Sequence, residues 1–348
     1  MVVVNVPCMN GGGGETSYAE NSDVQIFILL LSQRTVILKA WPFLEETIKD
    51  MFSSSFPGCF NVADSGCSLG PNTLLVISKI IDTIHKLCHQ ANKKLPEFQV
   101  FLNDLPRNDF NSIFQSLPEF YKRIKKEKFG PCFVAGMPGS FYERLFPSRS
   151  INFIHSSYSV HWLSKVPENL ENNKRNIYIT KSSPPSVCQA FLEQFQRDFS
   201  AFLSLRSEEI VSGGRMFLTF LGRSIADPSS KDCCCLLELL VLLKRLTWIH
   251  SICLAIFPTK KKSSQFSGSK VNWDPSDDVN NKSFVFNKDR CGQNVANSIR
   301  AVTEPMLASH FGNAVIDPLF ARFATLVAEH LAVEKTKYIS IVISMTNK

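Results

Sequence analysis

The chain has 348 residues, 44% hydrophobic and 20% charged, with a formal net charge of +7. Such a composition fits one large or two modest globular domains and excludes disorder, collagen and coiled coil as whole-chain descriptions. Phe is abundant, at 28 residues against 6 Tyr and 4 Trp, which suits a Phe-rich core or, for some of them, an apolar small-molecule pocket.

In chain order, the first feature is a Gly-rich loop, Met9–Tyr18, a weak signal by itself. Leu44, Ile48, Met51 and Phe52 stand near helical spacing and predict a helix over Leu44–Phe52. Cys59–Ala63 reads as a short buried strand running into the turn Asp64–Thr73, which contains Gly66 and Gly70. Leu74–Cys88 then carries an apolar helical stripe. Strand, glycine turn and helix form the opening unit of a nucleotide-binding α/β sheet, in which glycines let backbone approach a ligand and Asp64 can contact it. Phe98–Leu102 predicts a second strand ending at Asp104, where an acidic side chain can hold a ribose diol.

Lys122–Lys128 is the densest basic run, with Lys260-Lys261-Lys262 further on. Neither is interleaved with aromatic residues, so both read as solvated helix face or loop, and no nucleic-acid partner is expected. Pro131–Phe141 reads as strand and turn, Ile151–Ile154 as a strand ending in His155–Leu163, and Asn176–Thr180 as a brief extended piece. Ala190–Glu208 predicts a helix. Ser212-Gly213-Gly214 predicts a turn into the strand Arg215–Phe220. Ser263–Lys270 and Pro275–Lys282 read as loops, Val295–Ala308 and Leu319–Leu331 as helices, and Tyr338–Ser344 as the last strand. Alternating strands and helices imply a mainly parallel, doubly wound sheet with its ligand across the carboxyl ends of the strands.

The 11 Cys form no CxxC pair, and Cys233-Cys234-Cys235 cannot converge as a zinc tetrad. MVVVNVPCMN has no secretory signature, so a reducing, cytoplasmic setting is expected. No apolar run is long and uncharged enough to suggest a membrane span.

The turn Asp64-x-Gly66-x-x-x-Gly70 departs from the dinucleotide fingerprint and matches the looser loop of class I methyltransferases. Longer motifs make the resemblance specific. They are Met9-Asn10-Gly11 with Thr16–Ala19 and Gln25, Asp64–Thr73, Leu102–Pro106 with Asn108–Asn111, Pro138–Tyr142, His155–Ser164 and Ala301–Leu307. Together they resemble the plant SABATH methyltransferases over nearly the whole chain. The resemblance implies a class I methyltransferase Rossmann-like doubly wound sheet with an α-helical cap. It implies a core over residues 1–232 with part of the acceptor pocket, a cap region over 233–330 that is degenerate around 236–271, and a final core strand over 331–348.

It also implies methyl transfer from S-adenosylmethionine to a small-molecule carboxylic acid of plants, jasmonate-like or aromatic, by a homodimer. The alternatives are a purine N-methyltransferase and a degenerate, non-catalytic paralogue. The implied cofactor contacts are Tyr18, Asp64, Cys67, Asn72, Asp104, Leu105, Ser140 and Phe141. The implied acceptor contacts are Gln25, Tyr158, His161 and Trp162. No catalytic acid or base is expected, because a carboxylate is already nucleophilic. Of the family's Mg²⁺ ligands only Asn173 matches, so an incomplete metal site is expected. Ser65 and Leu69 exchange the family's Leu and Ser, which predicts a cost in stability or cofactor binding.

Overall fold

The computed structural model describes residues 33–53, 55–69, 71–168, 170, 173, 179, 182–222, 227, 266–273, 288–333 and 339–348. Seven strands form one sheet: β1 (Cys59–Ser65), β2 (Glu97–Asp104), β3 (Cys132–Pro138), β4 (Ile151–Ser157), β5 (Ile210–Gly222), β6 (Phe266–Trp273) and β7 (Ile339–Asn347). Their order is β3-β2-β1-β4-β5-β7-β6. β1 to β5 run parallel, and β7 lies antiparallel between β5 and β6.

The helices are α1 (Gln33–Phe52), α2 (Pro71–Gln90), α3 (Phe110–Lys126), α4 (Pro185–Glu209), α5 (Lys288–Phe311) and α6 (Ile316–Val333). Side chains alternate across a strand, and the core divides accordingly. Val62, Phe98, Val100, Leu102, Phe153 and Phe217 meet α1, α2 and α3 on one face. Ala63, Ile154, Met216, Leu218, Phe220 and Ile341 meet Phe202 and Leu203 of α4 on the other. Winding therefore reverses between β1 and β4, the place where such sheets open a crevice at their carboxyl ends. Phe60, Phe98, Phe153, Phe202, Phe217, Phe220 and Phe323 are among the largest fully buried side chains, so the Phe content chiefly builds core.

The expected elements recur with longer bounds, and three places differ. Helix α3 was not expected as a unit, because Pro118 interrupts the pattern. Ile113, Phe120 and Ile124 nevertheless bury one stripe, and Asp109 caps the start by accepting from Ser112 N at 3.1 Å. Its basic last turn is exposed, as expected of a solvated face. The turn expected at Ser212-Gly213-Gly214 is an irregularity inside β5. The register against β4 slips between Ile151 and Phe153, and Gly213 takes φ +75°. Residues Phe266–Lys270, expected as loop, belong to β6, where antiparallel pairing with β7 supplies the order that the sequence pattern lacks.

Within the expected cap segment, the described residues are β6, α5, the short link 312–315 and most of α6. A Cβ on Gly292 would run into Ala324 O and Ala328, so this glycine permits close packing of α5 on α6. Arg300 pairs with Glu304 and with Asp317 at 2.7 Å each, tying the two helices together at the surface. Asn176–Thr180, apart from Ile179, lies outside the described residues, as do Met9–Tyr18 and 236–265. No helix among the described residues is long and apolar enough to cross a membrane.

Candidate functional site

Three strand ends and the turns that follow them build the site. Asp64 and Ser65 end β1, Asn103 and Asp104 end β2, and His155–Ser157 end β4; parallel register sets Ser65 beside Asn103 and Asp64 beside His155. Asp64 is buried, and its Oδ1 lies 2.8 Å from Nδ1 of the equally buried His155. Phe217 stacks on the His155 ring at 6.3 Å and 11°. Sequence reading passed over His155 because a lone histidine in an apolar strand carries no signal until its neighbour strand is known.

After Asp64 the chain turns sharply. Gly66 takes φ +73°, and a Cβ there would collide with Ser159 Cβ and Oγ. The close approach is fixed by Ser159 Oγ donating to Gly66 O at 2.8 Å and by Gly66 N and Cys67 N both donating to Asn103 O at 2.9 Å. Cys67 is sealed in this turn. Burial, with Asp104 and Asp64 nearby, pushes its thiol well above the usual range, which makes it packing and not a nucleophile.

Asp104 accepts from Ser68 N at 2.6 Å and from Leu105 N at 2.7 Å. Burial raises its carboxyl from 3.8 to about 6 against the help of those two donors, with Asp64 adding repulsion. Asn103 Nδ2 bridges Met137 O and Gly139 O at 2.8 and 2.9 Å, so it aligns the loop after β3 with the end of β2. That loop carries Ser140, whose Oγ accepts from Tyr142 N at 3.2 Å, and Phe141, whose ring faces the Gly66 turn.

Asn72 opens α2. It is 5% exposed, and neither its Oδ1 nor its Nδ2 has a partner. Two orphaned amide atoms in a buried residue cost free energy unless a ligand completes them. An orphaned amide, two carboxylates and a glycine turn fit an adenosyl amino acid, a cationic ligand rich in hydroxyls and amines.

The loop after β4 supplies the second half. Tyr158 adopts φ +54°, a costly conformation for an aromatic residue, and is held by Tyr158 N donating to Thr219 O at 3.0 Å and by its hydroxyl 2.6 Å from Ser340 Oγ. Burial raises its phenol above the usual range. The His161 ring lies 5.7 Å from Tyr158 and 6.2 Å from Trp162. His161 is 4% exposed, its Nδ1 has no partner, and burial lowers it to about 3, so the imidazole is neutral near pH 7. Tyr142 hydroxyl donates to Trp162 O at 2.7 Å and fixes the backbone that presents the indole.

Of the residues singled out in the sequence, Asp64, Cys67, Asn72, Asp104, Leu105, Ser140, Phe141, Tyr158, His161 and Trp162 fall on these adjoining turns. Tyr18 and Gln25 lie outside the described residues. Asn173 is buried, with Oδ1 accepting from Ser183 Oγ at 2.7 Å. No group of three or more His, Cys, Asp or Glu able to hold a metal occurs among the described residues.

Comparison with known proteins shows the family. The family described as SAM dependent carboxyl methyltransferase matches residues 4–247 and 261–348. The chain is 48% identical over 380 residues to a probable methyltransferase of Theobroma cacao, covering 100% of both. It is 42% identical over 371 residues to S-adenosyl-L-methionine:benzoic acid/salicylic acid carboxyl methyltransferase 3 of Petunia hybrida, covering 99% of each. It is also 42% identical over 381 residues to probable jasmonic acid carboxyl methyltransferase 2 of Theobroma cacao, covering 100% of both. Among solved structures, loganic acid methyltransferase with SAH superposes with a TM-score of 0.77 at 30% identity, covering 98% of each chain. The break in the family match, residues 248–260, falls inside the segment where the sequence departs from the SABATH pattern.

Proposed function

The chain belongs to the S-adenosylmethionine-dependent carboxyl methyltransferases, and from that premise we propose that it esterifies a jasmonate-like or aromatic small acid at its carboxylate. The observation that carries the reading is the buried, unpartnered Asn72 amide on the helix that follows the Gly66 turn, with Asp104 bonded to Ser68 of that turn and neutral His161 and Trp162 on the loop whose Ser159 bonds Gly66. The donor supplies a methyl group on a sulfonium, already activated for attack by an oxygen anion.

The chain's own residues have positional work. Asp104 and Asn72 accept and donate hydrogen bonds to the polar parts of the donor, and Asp64 lines its far wall with one oxygen held by His155. Leu105, Ser140 and Phe141 enclose it, and Cys67 packs beneath. Tyr158, His161 and Trp162 form the acceptor wall, with Tyr18 and Gln25 assigned to donor and acceptor by family pattern. Neutral N–H donors orient a carboxylate without drawing off the charge that makes it nucleophilic. Enclosure excludes water and fixes the line of attack, and no side chain needs to move a proton. His161 before Trp162 supports a jasmonate-type acceptor over salicylate. The family resemblance supports a homodimer, and buried free thiols at Cys67 and Cys88 fit a cytoplasmic setting.

A labelled-methyl transfer screen over jasmonate, benzoate, salicylate and xanthine tests the proposal. Product that releases volatile methanol on mild alkaline hydrolysis is the expected ester. Base-stable label on xanthine points to purine N-methylation instead. Donor binding without transfer to any acceptor points to the non-catalytic alternative, which the break at residues 248–260 favours.

A further inference from the structure

We infer that Arg206 and Glu209, at the end of α4, are positioning residues for the methyl-donor site, acting through the loop that carries Ser140 and Phe141. The inference rests on the proposed assignment of those two loop residues to the donor. Both side chains are 0% exposed; Arg206 Nη2 donates to Glu209 Oε1 at 2.9 Å, and Nε approaches Oε2 to 2.7 Å. Their further hydrogen bonds all go to one loop. Arg206 Nη1 donates to Phe141 O and Nη2 to Glu143 O, each at 2.8 Å. Glu209 Oε1 accepts from Leu145 N at 2.7 Å and from Phe146 N at 3.1 Å. Four backbone groups of a segment with no regular structure are thus bound from outside it.

Stability alone is a poor reason for such a pair. Removing two charges from water is costly, and a packed apolar pair in the same space is often neutral or better for folding. What an apolar pair cannot supply is a fixed backbone path between Phe141 and Phe146. The path bears on the donor through Phe141. Its ring lies edge-on to Phe202 at 6.1 Å, Phe202 lies 5.5 Å beneath the Arg206 guanidinium, and the Phe141 ring edge abuts the Gly66 turn. Arg144, partly exposed, joins the same pair at 3.5 Å from Glu209 Oε1.

The test separates position from folding. Arg206→Met with Glu209→Leu keeps volume and removes the buried charges; Glu209→Gln keeps shape and removes one. Calorimetric titration with S-adenosylhomocysteine, together with steady-state donor and acceptor kinetics, reads the result. A rise of about tenfold or more in Kd and in donor KM is expected, with acceptor KM within about twofold. A folded variant with wild-type Kd overturns the inference.

The wild-type protein gives a second measurement that needs no variant. Deuterium exchange of the peptide spanning residues 142–147 is expected to be slow in the free protein, because Leu145 N and Phe146 N are bonded to a sealed carboxylate. Exchange at the rate of an open loop overturns the inference even if neither variant can be purified. Wild-type protein that binds no S-adenosylhomocysteine refutes the donor-site assignment itself, a separate failure.

Discussion

On the proposed assignment of Asp104 to the donor, the stability of the protein is linked to the occupancy of its site, and Asp104→Asn exposes the link. Its carboxyl is raised from 3.8 to about 6, mainly by burial. A raised acid binds its proton more tightly folded than unfolded, so its contribution to stability is complete below the unfolded value and is lost as pH climbs through about 6. A rise from 3.8 to about 6 corresponds to about 3 kcal/mol at full range, of which about 2 kcal/mol falls between about pH 4.5 and about pH 7.5.

Other groups titrate over that window, so the quantity to measure is the difference between wild type and Asp104→Asn in urea unfolding. The difference should drift by about 2 kcal/mol across the window, wild type losing ground as pH rises. Its absolute offset is uninformative, because asparagine accepts poorly from both Ser68 N and Leu105 N. Donor affinity should run the other way, weakening below about pH 6 in wild type as the carboxylate protonates, and weak but flat in the variant. Parallel unfolding profiles for the two proteins refute the reasoning, since they mean that Asp104 is solvated like an ordinary carboxylate.

His161 makes the opposite prediction. Its lowered value means that its contribution is present above the unfolded imidazole range and is lost as pH falls towards about 3, while acceptor KM shows no step between about pH 6 and about pH 8; an imidazole step in that range contradicts it. Ser65 is fully buried with an unpartnered hydroxyl, so Ser65→Ala should raise stability by about 1 kcal/mol in denaturant melts. Leu69 is packed in the core, so Leu69→Ser alone should cost about 2–5 kcal/mol, and the double exchange with Ser65→Leu is expected to gain less than Ser65→Ala. Tyr158→Phe removes the bond to Ser340 and should cost about 1 kcal/mol in melts and raise acceptor KM with little change in donor KM.

The sheet was legible because its strands are bounded by turn residues and its helices by a 3.6-residue stripe. Asp64, Gly66 and Asp104 were legible as a crevice for the same reason, since a strand end followed by a glycine turn announces one, whereas Asn72 came only from the family resemblance. The residues that escaped are those whose meaning depends on a partner far along the chain. His155 acquires a role only when β4 lies beside β1, and Arg206 and Glu209 only when α4 ends against the loop after β3. Helix α3 escaped through Pro118, and β6 through pairing that its Gly- and Ser-containing sequence does not advertise. Where sequence and structure part at Gly213, the cause is a positive φ that serves a strand irregularity and a turn equally well.

The contact of Gly66 with Ser159 has an evolutionary consequence. On the proposed assignment one wall serves both halves of the cleft, since the glycine belongs to the donor turn and the serine sits between Tyr158 and His161 of the acceptor wall. A lineage changing its preferred acid can freely vary residues beyond Ser159, but any drift that moves Ser159 itself is transmitted to the donor. New specificities should therefore arise by exchange of side chains on a stationary backbone, and seldom by insertion or deletion there.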